Sequence, residues 1–284
     1  ENAIYLVLLV LLMIIVIQEP SFLSLTNLSN ILTQSSVRVI IALGVAGIII
    51  TQGTDLSAGR QVGLAALIAA TMLQALTNVN KVFPSLGEVP IPVVIGLVNG
   101  LIVAYLNVTP FITTLGTMII VYGINSLYFD SVGASPVAGF DPRFSSFAQG
   151  FIRIGGFKLS YLTFYAAIAS VFVWVLWNKT RFGKNIFAIG GNPEAAKVSG
   201  VNVAVNLVMI YALAGVFYAF GGMLEAGRIG SATNNLGFMY ELDAIAACVV
   251  GGVSFAGGVG TVAGVITGVL IFTLINYGLT YIGV

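Results

Sequence analysis

Residues 39–70 read VIIALGVAGIIITQGTDLSAGRQVGLAALIAA, two long apolar runs joined by a short polar segment. A helix needs about 20 apolar residues to cross the hydrocarbon core of a bilayer. The runs therefore predict membrane helices, and the glycine-containing segment 53–59 between them predicts a break. Irregular backbone at membrane depth is tolerated only where protein or a watery cavity surrounds it. We expect a membrane protein whose chain breaks inside its own bundle.

The whole chain is poor in charge. Of its 284 residues, 58% are hydrophobic and 7% are charged, whereas a soluble domain carries roughly 25% charged residues. Such a chain cannot cover a water-facing surface of its size, so we expect the lipid bilayer to cover it. The net charge of +1 gives no electrostatic reason to expect a nucleic-acid partner.

The intervals without charge predict an all-α, polytopic membrane helix bundle, which we treat as one transmembrane domain over residues 1–284. The first interval lacks the basic leader and small-residue cleavage site of a signal peptide, so we interpret it as a helix. The nine predicted helices span residues 3–18, 28–51, 57–77, 90–106, 111–129, 160–178, 205–224, 240–254 and 260–282.

Lysine and arginine in short loops predict the orientation. The loop 179–204 holds four basic residues and one acidic residue, a net charge of 4 − 1 = +3. We expect this loop in the cytoplasm. Counting helices from it places the N-terminus in the cytoplasm and the segments 78–89 and 130–159 outside.

Three sets of glycines recur at i, i+4 spacing, which lets helix backbones approach closely. They are Gly59 and Gly63, Gly96 and Gly100, and Gly260, Gly264 and Gly268. The pattern fits packing inside one bundle, and it also fits a dimer seam for one of the sets.

The sequence contains no motif that indicates catalysis. The absence of histidine excludes a Ser-His-Asp triad and a histidine-ligated metal site. Cys248 is the single cysteine, so no internal disulfide can form, and we expect it to be a small buried residue. The chain contains no P-loop, no nucleophile elbow and no paired carboxylates. We therefore expect no enzyme, no metal and no cofactor in this chain, and energy for uphill transport would come from an ion gradient or another subunit.

Charged residues within membrane segments are costly and usually face the protein interior. Asp55 and Arg60 flank the predicted break; they either pair and cap helix ends, or act on a solute or a gate. Gln34 and Arg38 lie four residues apart and share one helix face. Our candidates for the translocation path or its gating are Gln34, Arg38, Gln52, Asp55, Ser57, Arg60, Asn107, Glu241 and Asp243.

A second polar cluster surrounds residues 225–243, which helix counting places opposite the basic loop. Within it, the stretch 231–235 could dip into the membrane, receive an external partner or form a solvated loop. The candidates for docking an external protein are Ser231, Thr233, Asn234 and Asn235.

The basic loop contains a good short helix, Pro193–Val198. Asn192 is a favourable N-cap, Glu194 lies in the first turn, and Gly200 can end the helix. The pattern fits a connector at the membrane interface, and it also fits a docking element for a cytoplasmic partner.

Four stretches carry a resemblance to a known family. They are TQGTDLSAGRQVGLAA (51–66), NVTPFITTLGTM (107–118), GKNIFAIGGNPEAAKVSGVNV (183–203) and YELDAIAACVVGGVSFAGGVGTVAG (240–264). With them the chain resembles the permeases of ABC importers for ribose, galactose, xylose and autoinducer-2, and within that family it is most similar to the galactose/methyl galactoside branch. The match extends over nearly the whole chain.

The resemblance implies a permease of the bacterial inner membrane that works by alternating access as a homodimer. It implies a cytoplasmic ATPase with two fused nucleotide-binding halves, which would carry ATP and Mg, and a periplasmic galactose- or glucose-binding protein. It also implies that 191–200 is the coupling helix seated in the ATPase. The coupling residues would be Gly191, Asn192, Pro193, Glu194, Ala195, Ala196, Lys197 and Gly200.

Two departures from the family accompany the resemblance. The family has ten helices whereas nine are predicted, so we expect a further helix after Val284, and the stretch near 92–96 is shorter than the family pattern. The alternatives are a permease for ribose or xylose, and a secondary sugar transporter or facilitator that uses Asp55 and Glu241 for ion coupling.

Overall fold

The structure is a computed structural model that describes residues 3–76 and 90–283. The predicted outer loop 78–89 lies outside these residues. Within the described ranges the chain forms twelve α-helices. They are α1 (Ala3–Gln18), α2 (Leu25–Ile50), α3 (Ala58–Leu76), α4 (Pro90–Tyr105), α5 (Pro110–Ser131), α6 (Pro142–Gln149), α7 (Tyr161–Lys179), α8 (Arg181–Gly191), α9 (Pro193–Val198), α10 (Val203–Ile229), α11 (Tyr240–Val250) and α12 (Val262–Tyr281).

Each of the nine predicted helices corresponds to an observed helix, so the prediction of an all-α membrane bundle is confirmed. Five described helices are long and apolar enough to cross a membrane: α2, α5, α7, α10 and α12. The stretch 92–96 lies within the continuous helix α4. Helices α6 and α8 were not predicted, because each is too short and too polar to stand out as a charge-free interval.

Four short strands add to the helices. Strand β1 (Val137–Ala138) pairs antiparallel with β4 (Ser231–Ala232), and β2 (Phe151–Ile154) forms an antiparallel hairpin with β3 (Phe157–Ser160). The first pair joins the segment 130–159 to the chain that follows α10. Both segments therefore lie at the same end of the bundle.

The bundle has two distinct ends. Helix α7 follows the β2–β3 hairpin directly and leads into α8, and its 19 residues span roughly 28 Å. We call the end with α6 and the β2–β3 hairpin the hairpin end, and the end with α8 and α9 the helix-pair end. The two ends are a bilayer thickness apart.

Helix α2 occupies the core. From Ser35 to Ile50 every residue except Arg38 is buried, as expected for a helix that is apolar on all sides and surrounded by protein. Helices α3 and α10 pack against it. By contrast, α5 and α7 expose large apolar side chains such as Ile119, Leu127 and Ile168, which suit contact with lipid.

All three glycine sets pack within the chain. Gly96 and Gly100 lie against the backbone of α10, and Gly264 and Gly268 lie against the end of α11. Gly59 and Gly63 lie against the backbone of 236–237. The structure thus supports packing inside one bundle for these glycines.

The predicted break is confirmed, and protein surrounds it. After α2 the chain turns at Gln52, whose φ is 63°, and Gly53 and Asp55 are buried, with Gly53 against Tyr211 of α10. A second irregular segment, 233–239, connects β4 to α11. Since Gly59 lies against the Gly237 carbonyl and the Glu241 carboxylate, the N-termini of α3 and α11 meet inside the bundle.

Candidate functional site

Helix α9 is built by local capping. The Ala195 N–H donates to Asn192 Oδ1 (3.0 Å), and Pro193 fills the first helical position. Gly200 ends the helix with a φ of 86°, a backbone conformation that favours glycine. The N-cap and the helix are therefore as the sequence predicts.

The surface of α9 is largely exposed. Ala196 is buried against the bundle, whereas Glu194, Ala195 and Lys197 face outward and Val198 is 89% exposed. The buried side of α9 holds the helix against the bundle. Its outer side, which is both charged and apolar, remains accessible to a partner protein.

A groove of about 580 Å³ lies beside α9, between the end of α4 and the start of α10. Its wall includes Asn107, Glu194 and Lys197, and Gly200 closes one side. Asn107, which we expected on the translocation path, thus lies at the helix-pair end beside the predicted coupling residues.

Gln52 also belongs to the helix-pair end. Its Nε2 donates to the Gly190 carbonyl (2.8 Å) and the Ala256 carbonyl (3.1 Å), and so ties α8 and the loop 251–261 to the end of α2. The neighbouring Gly258 N–H donates to the Ile50 carbonyl (2.9 Å). Gln52 therefore connects the core helix to the helix pair, a role that its polarity alone did not reveal.

Asp55 is 1% exposed, and its carboxylate binds Ser57 just before α3 begins. Its Oδ1 accepts from the Ser57 N–H (2.9 Å) and from the Ser57 hydroxyl (2.5 Å). Ser57 Oγ in turn accepts from Gln61 Nε2 (2.9 Å) and Asn99 Nδ2 (3.2 Å), and Thr117 donates to Asn99 Oδ1 (2.6 Å). This buried network joins the break to α4 and α5.

Asn99 and Thr117 were missed by the sequence analysis, because single polar residues in apolar helices carry no signal of their partners. The Asp55 carboxylate binds Ser57, one residue before α3 begins, so the suggested helix-capping role of Asp55 stays a prediction.

The suggested pairing of Asp55 with Arg60 is wrong. The ion pairs among the described residues are Arg38–Asp243, Arg143–Asp141 and Arg228–Glu225. The Arg60 guanidinium instead lies over two aromatic rings, 4.3 Å from the centroid of Tyr122 and 5.0 Å from that of Phe238. Asp55 is held by Ser57, so the two charges on either side of the break have separate surroundings.

Arg38 lies four residues after Gln34 on α2, and its ion partner is Asp243 of α11 at 4.0 Å. Both side chains remain partly exposed, 26% for Arg38 and 31% for Asp243. Gln34 is half-buried one turn closer to the hairpin end. The structure thus brings two of the predicted path residues together from positions 205 residues apart in sequence.

Glu225, Arg228 and Tyr240 form a further network that the candidate set did not include. Arg228 donates to both oxygens of Glu225 (2.8 Å each), and the Tyr240 hydroxyl donates to Glu225 Oε1 (2.6 Å). Charge-assisted, two-pronged bonds of this kind are strong and directional. The i, i+3 spacing of Glu225 and Arg228 was the signal that could have identified the pair.

The predicted external docking residues lie at the hairpin end. Ser231, Thr233 and Asn235 line an open pocket of about 250 Å³, and the Asn234 carbonyl accepts from Asn125 Nδ2 (3.0 Å). Part of the stretch is fixed by pairing with β1, so it is more ordered than a simple solvated loop.

No group of three potential metal ligands occurs among the residues that the structure describes.

Comparison with known proteins gives a consistent result. The chain is 79% identical over 294 residues to the galactose/methyl galactoside import permease protein MglC of Escherichia coli, covering 100% of this chain and 88% of that protein. It is 77% identical to the protein of the same name from Haemophilus influenzae with the same coverage, and 38% identical to the ribose import permease protein RbsC of Bacillus subtilis, covering 99% and 85%. No solved structure matches the chain.

The family model for the permease component of branched-chain amino acid transport systems matches residues 27–284, nearly all of the chain. A helix break that is enclosed by protein agrees with a transport role in the membrane. This chain belongs to that family of membrane permeases.

Proposed function

We propose that this chain forms the translocation pathway of an ATP-driven importer for galactose and methyl galactoside, with glucose as a further substrate. The observation that carries the proposal is the identity of 77–79% over the whole chain to permeases named for these sugars, against 38% to a ribose permease. Such a difference favours galactose over ribose.

The helix-pair end suits a cytoplasmic ATPase. The exposed side of α9 and the 580 Å³ groove beside it offer a firmly anchored surface. Gln52 links this surface to the core helix α2, so a displacement of α8 and α9 reaches the break that follows α2. We assign ATP and Mg to this partner, which would carry two fused nucleotide-binding halves.

The hairpin end suits a periplasmic sugar-binding protein. It presents the segment 130–159 together with the pocket lined by Ser231, Thr233 and Asn235. This assignment places α9 and the N-terminus in the cytoplasm, in agreement with the net charge of +3 on the loop 179–204.

A second copy of the chain is part of the proposal. The centre of the bundle is filled by the buried residues of α2 and α3, so a path for a sugar has to follow the surface of the bundle. Arg38 and Asp243 are partly exposed on that surface, where lipid would be a costly neighbour for charge. A homodimer with its path between the two copies accommodates both features.

Reconstitution tests the function. We expect liposomes that contain the permease with its cognate ATPase to take up labelled galactose only when ATP is inside and the loaded sugar-binding protein is outside. Liposomes with the permease alone should take up no sugar above the empty-vesicle rate. Sugar flux through the permease alone, without the ATPase, would instead establish a facilitator or secondary transporter.

A further inference from the structure

Arg60 occupies an unusual position at the start of α3. Its guanidinium lies over the rings of Tyr122 from α5 and Phe238 from the segment before α11. Both rings are on the surface of the bundle, with Tyr122 45% and Phe238 52% exposed. A cation and two partly exposed aromatic rings are therefore presented together at one place on the surface.

This place lies near the middle of the membrane. Tyr122 is the 13th of the 22 residues of α5, roughly 18 Å along a helix whose length matches the bilayer. Charges at this depth face the interior of a bundle or a water-filled cavity rather than lipid. The surface around Arg60 is therefore unsuited to contact with lipid.

Unsatisfied polar atoms surround the same turn of α3. Arg60 Nη1, Asn125 Oδ1 and Glu241 Oε2 are buried and have no hydrogen-bond partner in the described part of the chain. Asn125 is 0% and Glu241 6% exposed, and both lie along α3, beside Gly63 and Gly59. Buried polar groups are nearly always paired, so these three atoms mark a turn of α3 where the hydrogen bonding of the bundle is incomplete.

The chemistry matches a hexose. A pyranose ring has apolar C–H faces and a rim of hydroxyls, and ligand sites combine aromatic walls with a few well-placed polar groups. The pocket at the hairpin end includes Phe238 in its wall together with Thr233 and Asn235, so this ring borders both the pocket and the Arg60 guanidinium.

We infer that Arg60, Tyr122 and Phe238 form a contact site for the passing sugar, part-way along the translocation path. The inference rests on the proposed function, because it takes its ligand class from there. The two partly exposed rings provide weak apolar contact with the C–H faces of the sugar, and the Arg60 guanidinium beside them supplies hydrogen-bond donors for the hydroxyls. Weak contact of this kind guides a solute without holding it.

Cysteine accessibility tests the site directly. Cys248 is the single cysteine and is fully buried, so Cys248→Ala supplies a background without reactive thiols. We expect Phe238→Cys and Tyr122→Cys, each introduced into the complete importer, to react with a membrane-impermeant methanethiosulfonate. Galactose delivered by its binding protein should slow the reaction at least threefold.

Ile120→Cys is the matched control. Ile120 is 63% exposed at nearly the same depth, and it lies about 160° around α5 from Tyr122. We expect no labelling there, because that side of α5 faces lipid. Three results would overturn the assignment. They are no labelling of either Tyr122→Cys or Phe238→Cys, equal labelling of Ile120→Cys, and labelling that galactose does not slow.

Transport measurements supply the second test. We expect Phe238→Ala to lower the uptake of galactose per ATP hydrolysed about tenfold, with Phe238→Tyr close to wild type. Unchanged coupling in Phe238→Ala would count against the contact site. If the proposed function itself is wrong, the wild-type importer will show no ATP-dependent uptake of galactose. This outcome is distinguishable from failure of the contact site, which leaves wild-type uptake intact.

Discussion

Gly59 shows how a single hydrogen atom in place of a side chain shapes this protein. A Cβ at this position would collide with the Gly237 carbonyl and the Glu241 carboxylate, and the first of these is backbone that cannot move aside. The absence of a side chain therefore allows the starts of α3 and α11 to meet. The same close approach brings Arg60 to Phe238.

We expect Gly59→Ala to destabilise the protein by about 1–3 kcal/mol, because overpacking forces the two segments apart. The lower midpoint of thermal unfolding in detergent measures the effect. Gly116→Ala is the control, since a Cβ there has no atom within 4 Å and lies on the exposed side of α5. Equal stability of the two variants would contradict the packing described for Gly59.

At the scale of elements, α9 combines local stability with long-range attachment. Its cap and its terminating glycine belong to the helix itself, whereas α8 before it is tied to α2 through Gln52. The proposed role of α9 in coupling depends on this attachment, because a displacement of α8 would act on the end of α2 through Gln52.

We expect Glu194→Gln and Gly200→Val to uncouple ATP hydrolysis from uptake. The first removes an exposed charge from the proposed docking surface, and the second strains a backbone whose φ is 86°. Galactose taken up per ATP hydrolysed in the reconstituted importer should fall about tenfold. Lys184→Gln, which removes an exposed charge from α8, should retain wild-type coupling, and wild-type coupling in both test variants would refute the docking role.

At the scale of the whole molecule, the two ends differ in a way that predicts sidedness. The helix-pair end carries the basic loop 179–204, and the hairpin end carries β1 to β4 and α6. The positive loop favours the cytoplasm. Helix α1 then begins on the same side of the membrane as α9.

Single cysteines at the two ends test this orientation. In the Cys248→Ala background, we expect Ser135→Cys at the hairpin end to react with an impermeant reagent added to spheroplasts. Ser199→Cys should react only after the membrane is opened, because it lies at the exposed end of α9. The reverse pattern of labelling would invert the assignment of both partners.

Several features of the site were accessible from the sequence because they depend on neighbouring residues. The capped helix after Asn192 and the break around Asp55 follow from side chains within a few positions of each other. The partners of the isolated charges were not accessible in this way. Arg60 was expected near Asp55, yet its contacts are Tyr122 and Phe238, 62 and 178 residues away.

The amino-acid sequence by itself determined that this protein is a membrane bundle, where its long apolar helices lie and where the backbone breaks. Low charge, long apolar runs and caps act locally, so they can be recognised without knowing what packs against what. Only the tertiary structure decided that the starts of α3 and α11 meet, that Gln52 holds α8, and that Arg60 faces two aromatic rings. These contacts arise from the packing of segments far apart in the chain, and that packing brings Glu241 and Phe238 to the start of α3.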